Sequence, residues 1–258
     1  MISWRTRKDE FLMRVLIWFF GTLTGFPVLA QTATDSQGII DRFVEAETRL
    51  LEEFQHYTYI QTIRFQELGK AGTVKGERLV RFEIFFSKSG ERNVRKTYDR
   101  GKLATLRVSR EDLEDAVGMQ PFMLTKEHLN SYRIVYIGEE RVDELNTYVF
   151  HVKPKRMRRG ERYFMGKIYV EDQGFLIVMT QGKIVPDARN NKFPEFETIR
   201  EEVEDGLWFP TWTGADDHLR FGGPFQGGSR SVHVRMYITY EKFQRYEVDT
   251  AITFDELP

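Results

Sequence analysis

The chain of 258 residues holds 38 Lys and Arg against 39 Asp and Glu, a formal net charge of −1, with 14% aromatics and no cysteine. That length suits one well-cored domain or two small ones, and the balanced charge argues against a general nucleic-acid binder, whose basic excess would show in the total. Without cysteine there is no disulfide scaffold, thiolate metal site, cysteine nucleophile or acylated cysteine anchor.

At the N-terminus, Arg5, Arg7 and Lys8 precede an apolar run from Val15 to Leu29 interrupted only by Gly, Thr and Pro. Val28-Leu29-Ala30 then offers a secretory cleavage site, so residues 1–30 read as a signal peptide and 31–258 as the single mature domain. Met13 is an alternative start, with Arg14 opening a tidier signal. A retained membrane anchor is the competing reading, disfavoured by the run's shortness and by Gly21, Gly25 and Pro27 within it. Cleavage leaves 34 basic against 37 acidic residues, a charge of −3. An exported chain without cysteine points to a bacterial periplasm.

Asp35 or Ser36 can cap a helix whose apolar residues Ile39, Ile40, Phe43, Ala46, Leu50, Leu51 and Phe54 form one stripe. Asp41, Arg42, Glu45, Arg49, Glu52 and Glu53 lie largely opposite; a mixed, acidic polar face fits a core-covering helix better than a membrane-surface one.

From Tyr57 the period changes to two. Val80, Phe82, Ile84 and Phe86 alternate with Arg81, Glu83 and Phe85; Tyr132, Ile134 and Tyr136 alternate with Arg133, Val135 and Ile137; Tyr148, Phe150 and Val152 alternate with Val149, His151 and Lys153. Phe164, Ile168 and Val170 repeat the theme, and Val232, Val234, Met236, Ile238 and Tyr240 close it. Turn signals stand at Lys88-Ser89-Gly90, Asp172-Gln173-Gly174 and Asp205-Gly206. At a spacing of roughly 8–12 residues per strand this predicts about eight to eleven antiparallel strands and no βαβ unit. Ser109-Arg110-Glu111-Asp112 reads as a capping box, and Thr125 as the cap of a short helix from Lys126 to Asn130. The stretches 186–194 and 214–231, the second with Gly222-Gly223-Pro224, read as surface loops that can act as lids.

Several strands are apolar on both sides: Phe175, Ile177 and Met179 are assigned to one face, Leu176 and Val178 to the other. A sheet with one wet face shows a polar set at every second residue. Two-sided apolarity means that both faces are covered, as in a densely packed two-layer core, or that one lines a hollow.

Five segments carry a family resemblance. They are Tyr136-Ile-Gly-Glu-Glu-Arg-Val142, Thr147-Tyr-Val-Phe-His-Val-Lys-Pro-Lys155, Gly166-Lys-Ile-Tyr-Val-Glu-Asp-Gln-Gly174, Met179-Thr-Gln-Gly-Lys183 and Asp205-Gly-Leu-Trp-Phe-Pro210. In this order they resemble the bacterial outer-membrane lipoprotein-sorting superfamily, which includes LolA-like carriers, LolB-like receptors and RseB-like sensor domains. The resemblance covers roughly Tyr57 to Tyr246. It implies an incomplete antiparallel β-barrel wrapped over a helix, with an apolar cavity for acyl chains. A lipid-anchored receptor is excluded, since the chain has no cysteine to acylate.

On this reading the protein is a non-enzymatic periplasmic carrier or sensor that binds the acyl chains of a lipoprotein or lipid, without cofactor or metal. The candidate cavity residues are Phe82, Ile84, Phe86, Ile134, Tyr136, Phe150, Ile177, Met179 and Met236. The alternative is a regulatory module that grips an inner- or outer-membrane protein. Lys153-Pro-Lys-Arg-Met-Arg-Arg159 is the densest basic stretch and reads first as a solvated connection, second as a contact for anionic headgroups or an acidic partner. Asp216-Asp217-His218 is the one close acid–histidine cluster and reads as a polar turn; no catalytic residue is assigned, and neither a Gly-x-Ser-x-Gly elbow nor a phosphate loop is present.

Overall fold

The computed structural model describes residues 35–87, 90–118, 122–186, 195–204, 206–221 and 230–246. The expected signal peptide, the stretch 187–194 and residues 222–229 lie outside the described residues. The chain divides into two units, Met1–Asp35 and Ser36–Pro258, and every helix and strand described belongs to the second.

Helix α1 spans Ser36–Phe54 and buries Ile39, Ile40, Phe43, Val44, Ala46, Leu50 and Phe54, the stripe its spacing dictates. Ten antiparallel strands come after it. They are β1 Tyr57–Leu68, β2 Val74–Phe86, β3 Arg92–Lys102, β4 Tyr132–Val142, β5 Leu145–Pro154, β6 Tyr163–Glu171, β7 Ile177–Val185, β8 Glu195–Glu204, β9 Leu207–Phe221 and β10 Arg230–Arg245. They form one sheet in the order β3-β2-β1-β10-β9-β8-β7-β6-β5-β4, with β3 and β4 as its two edges. The sheet does not close, so the fold is an incomplete antiparallel barrel. Every neighbour pair but one is a sequential hairpin; the exception, β1 with β10, joins the first strand to the last through Tyr57↔Arg245 to Leu68↔His233.

This order forces one long crossing. The chain leaves edge β3 at Lys102 and must reach edge β4 at Tyr132, on the far side of the sheet. It does so over the face that α1 also covers, hereafter the inner face, through helices α2 (Arg110–Gly118) and α3 (Lys126–Leu129). Leu103, Ala116, Val117 and Leu124 of this crossover are buried in the same core as α1 and the inner faces of the strands. Helix α2 starts with a reciprocal cap: Ser109 N donates to Asp112 Oδ2 (2.7 Å) and Asp112 N to Ser109 Oγ (3.1 Å). At α3, by contrast, the Thr125 hydroxyl meets His128 Nδ1 (3.0 Å) instead of a backbone N–H, and Lys126 N donates to Thr48 Oγ1 of α1 (3.1 Å).

A buried ion pair fastens α1 to the sheet. Glu47 occupies a core position of the helix stripe, and Arg200 lies on β8 with Phe196 and Thr198 on the inner side. Arg200 donates through both terminal nitrogens to the Glu47 carboxylate (2.7 and 3.1 Å) and also to the Phe122 carbonyl of the crossover. Ile177 N donates to Glu47 Oε1 (3.0 Å), so the pair ties together α1, β7, β8 and the crossover. Both side chains are almost fully shielded, at 2% and 0% exposure. At that depth neither charge has water to fall back on.

The structure departs from the sequence pattern in two places. The stretch 214–231 is not a loop over its length: Gly214–Phe221 completes β9 and Arg230–Ser231 opens β10, paired from Arg230↔Phe221 onward. The other departure is the face assignment on β7. Phe175 takes a left-handed φ of 61° in the turn, and the register slips between Tyr169 and Val170, pairing Tyr169 with Met179 but Val170 with Ile177. The extra residue flips the alternation, so Ile177 belongs to the inner core, whereas Val178 and Met179 belong to a separate outer cluster.

Glu47→Gln and Arg200→Met are each predicted to lower unfolding free energy by about 3–5 kcal/mol, because each leaves one buried charge unpaired. The double variant should cost less than the sum of the two, a coupling that denaturant unfolding of all four proteins measures. A second prediction concerns acid. Asp99 on β3 accepts from Arg78 Nε and Nη2 (3.0 and 2.9 Å) and from Lys96 Nζ (3.1 Å). The Arg78 hydrogen bond, with Lys96 adding to it, lowers its pKa from 3.8 to about 2. A depressed folded pKa contributes stability that is present above the unfolded value and is lost as pH falls through the folded one. Asp99→Asn should therefore flatten the stability–pH curve between pH 3.8 and about 2, as measured by denaturant melts across that range.

Candidate functional site

The inner face brings eight of the nine sequence candidates together. Phe82, Ile84, Phe86, Phe150, Ile177 and Met236 are buried in one contiguous cluster, and Ile134 and Tyr136 pack half-buried against it. Met179 stands apart, on the outer face beside Val149, Tyr169, Val178 and Trp208.

The positions of Ile134 and Tyr136 matter because β4 is an edge strand. Their inward side chains form the rim of the apolar face, and aromatic contacts lead inward from it. The Tyr136 and Phe150 rings meet edge to face at 5.5 Å, and Phe150 meets Phe43 of α1 at 5.4 Å. At the start of β4, Tyr132 meets Phe122 of the crossover (5.6 Å), and Phe122 stacks on Phe164 of β6 (4.5 Å). Room for that stack comes from Gly166 and Gly182, which face each other across β6 and β7. A Cβ on Gly182 would lie 2.8 Å from the Phe164 ring and 2.4 Å from the Met165 carbonyl. Leu106, Val108, Leu113, Phe122 and Met123 of the crossover are only partly buried, so the cover meets the core through half-wet apolar side chains.

Polar groups on the inner face serve as latches. Along β1 the buried row reads Tyr57, Tyr59, Gln61, Ile63, Phe65, Glu67. Gln61 Nε2 donates to the Ala116 carbonyl (3.1 Å), and Arg92 Nη2 donates to Gln61 Oε1 (3.2 Å). The Glu67 carboxylate accepts from Thr105 N (2.7 Å), Thr105 Oγ1 (2.6 Å) and Leu106 N (3.3 Å). Both side chains therefore anchor the crossover. The pattern of the strand marks them beforehand: each is a polar residue at the phase of the buried row, and a buried polar group must find a partner. Glu47 and Arg200 carry the same mark on α1 and β8.

Tyr57, Tyr59 and Tyr240 stay neutral phenols. Burial, and then the Glu204 carboxylate to which its hydroxyl donates (2.6 Å), push Tyr57 up to about 12. Burial also raises Tyr59 and Tyr240. At these positions the inner face thus offers apolar area and neutral hydroxyls.

Asp216, Asp217 and His218 sit in strand β9, not in a polar turn, and so alternate in direction. Pairing brings His233 opposite His218, and their rings stack at 4.1 Å. Asp216 is engaged by His233 Nε2 and by Arg235 Nε (2.7 Å). His233 escapes a reading of sequence alone because only the β9–β10 register places it there. Among the described residues, no group of three or more His, Asp or Glu side chains is arranged to hold a metal ion.

No protein-family model and no curated protein sequence matches the chain. Among solved structures it is similar to a putative outer-membrane lipoprotein-sorting protein domain from Vibrio parahaemolyticus, at 12% identity and a TM-score of 0.42 over 83% of this chain and 93% of that one. It is also similar to a DUF1329 family protein from Desulfovibrio piger (15% identity, TM-score 0.40, 81% and 95% covered). A LolA superfamily protein from Nitrosomonas europaea aligns at 9% identity and a TM-score of 0.39, over 79% of this chain and 94% of that one.

Gln61→Ala and Glu67→Ala are predicted to loosen the crossover selectively, at about 1–3 kcal/mol each, by leaving its backbone groups without partners. Amide hydrogen exchange should rise across residues 103–118 and stay unchanged in the β9–β10 hairpin.

Proposed function

We propose that the protein is a periplasmic carrier or sensor, exported by cleavage after Ala30, that takes up the acyl chains of a lipoprotein or lipid against the inner face of its sheet. One observation carries this reading: at open edge β4, the half-buried Ile134 and Tyr136 continue without a polar break into the buried Phe150 and on to Phe43 of the covering helix. An acyl chain that displaces the half-buried crossover side chains lies along this row and reaches Phe82, Ile84, Phe86, Ile177 and Met236 beneath the cover. Each methylene it buries contributes about 0.8 kcal/mol, so affinity grows with chain length and without chemical specificity. Aromatic rings and Met side chains suit so adaptable a cargo.

Ile134→Glu and Tyr136→Glu test the reading at its rim, where half-exposure lets a charge reach water and the fold survive. Titration of a fluorescent fatty-acid probe should show at least about a tenfold loss of affinity in each, since the charge must be desolvated as the chain passes. Met179→Glu, on the outer face, should bind as the parent does. Unchanged affinity in both rim variants, with folding verified by circular dichroism, would sink the assignment.

A further inference from the structure

The end of the β4–β5 hairpin and the connection beyond it carry an unmatched positive charge. Five cations fall within residues 153–159: Lys153, Lys155, Arg156, Arg158 and Arg159. Register then sets Arg133 of β4 directly opposite Lys153 of β5, both exposed on the outer face. Like charges facing each other across a strand pair repel, an arrangement that an anion shared between them relieves. Nearby acids do little to offset it. Glu161 meets Arg158 at 3.6 Å in an exposed pair, Asp115 is engaged by Arg162 and Glu140 lies 3.8 Å from Lys167. Among the described residues, no carboxylate pairs with Arg133, Lys153, Lys155, Arg156 or Arg159.

Apolar side chains lie within the same surface. Val135 and Ile137 come after Arg133 along β4 at 46% and 48% exposure, and Met157 projects among the arginines at 60%; these are three of the six most exposed large hydrophobics among the described residues. Solvated cations around exposed aliphatic groups match the interface of a bilayer, where phosphates meet the first methylenes. An acidic peptide would match the charge but leave Met157 without a use.

We infer that this surface, formed by Arg133, Lys153, Arg156, Met157, Arg158 and Arg159, docks the protein on the phosphate headgroups of an anionic membrane. The inference goes beyond the acyl-binding proposal and stands without it, since it concerns the outer face and the β5–β6 connection.

Co-sedimentation of the full chain with vesicles of phosphatidylglycerol and phosphatidylcholine, against vesicles of phosphatidylcholine alone, tests it. Attachment through residues 1–30, where Arg5, Arg7, Lys8 and Arg14 also favour anionic lipid, is common to every variant, so the surface is read from the difference between parent and variants on the anionic vesicles. Binding to the anionic vesicles should be at least about tenfold tighter and weaken as salt rises from about 0.05 to about 0.3 M. On the anionic vesicles the variant R156E/R158E/R159E should bind at least about tenfold more weakly than the parent, Met157→Asp should weaken binding several-fold, and Lys75→Glu on β2 should behave as the parent. The triple variant should keep its affinity for the fatty-acid probe, which separates this surface from the inner face. Equal binding to both vesicles, or an undiminished preference in the triple variant, overturns the inference. Capture of a polyglutamate peptide without capture of anionic vesicles overturns it in favour of an acidic protein partner.

Discussion

The arrangement depends on one buried ion pair. An open antiparallel sheet exposes an apolar face unless something lies across it, and α1 is held there at mid-length by Glu47 and Arg200. The apolar stripe decides which side of the helix turns inward, but leaves latitude in its precise rotation and in its position along the sheet. A bidentate carboxylate–guanidinium pair fixes both, because its geometry is narrow and its failure at this depth is costly. The same carboxylate accepts from Ile177 N at the start of β7, and the same guanidinium donates to the Phe122 carbonyl. Helix, sheet and crossover are thereby set in register with one another, and the apolar row from Tyr136 to Phe43 results from that registration.

The crossover is the less secure half of the cover. The strand order obliges it to span the inner face, yet α2 has nine residues and α3 four, too few for a continuous helical layer. It is pinned at discrete points, by Gln61, Glu67 and the Phe122–Phe164 stack, with half-buried Leu, Val and Met side chains between them. Segments with few buried contacts between firm anchors are the ones that open at low free energy. The cover is thus firm along α1 and looser along the crossover, which is what the proposed entry of an acyl chain at the β4 edge requires.

Much of this architecture is legible in the residues. The stripe Ile39 to Phe54 defines α1, strand alternation places Phe82, Ile84 and Phe86 on one side, and Ser109 with Asp112 marks the start of α2. Where the pattern misleads, the cause is local geometry that alternation cannot register. A slip of one residue beside Tyr169 moves Met179 to the outer face, and β9 continues through Gly214, Asp216 and His218, a composition that reads as loop. Two-sided apolarity on β5 to β7 also has a plainer source than a second layer. Val149, Tyr169 and Val178 are shielded on the outer face by Val142, Leu145, Met179 and Trp208. The latches Glu47, Gln61, Glu67 and Arg200 stand out as polar residues at core phase, but pairing them requires the topology.

Whether acyl chains are held on the inner face is decided by photo-labelling. A diazirine-bearing fatty acid bound to the protein, activated and mapped by mass spectrometry, should label Tyr136, Phe150 and residues 122–123 of the crossover. Labelling confined to the outer face around Met179 and Trp208, or no labelling above that of a denatured control, would refute acyl binding at this face.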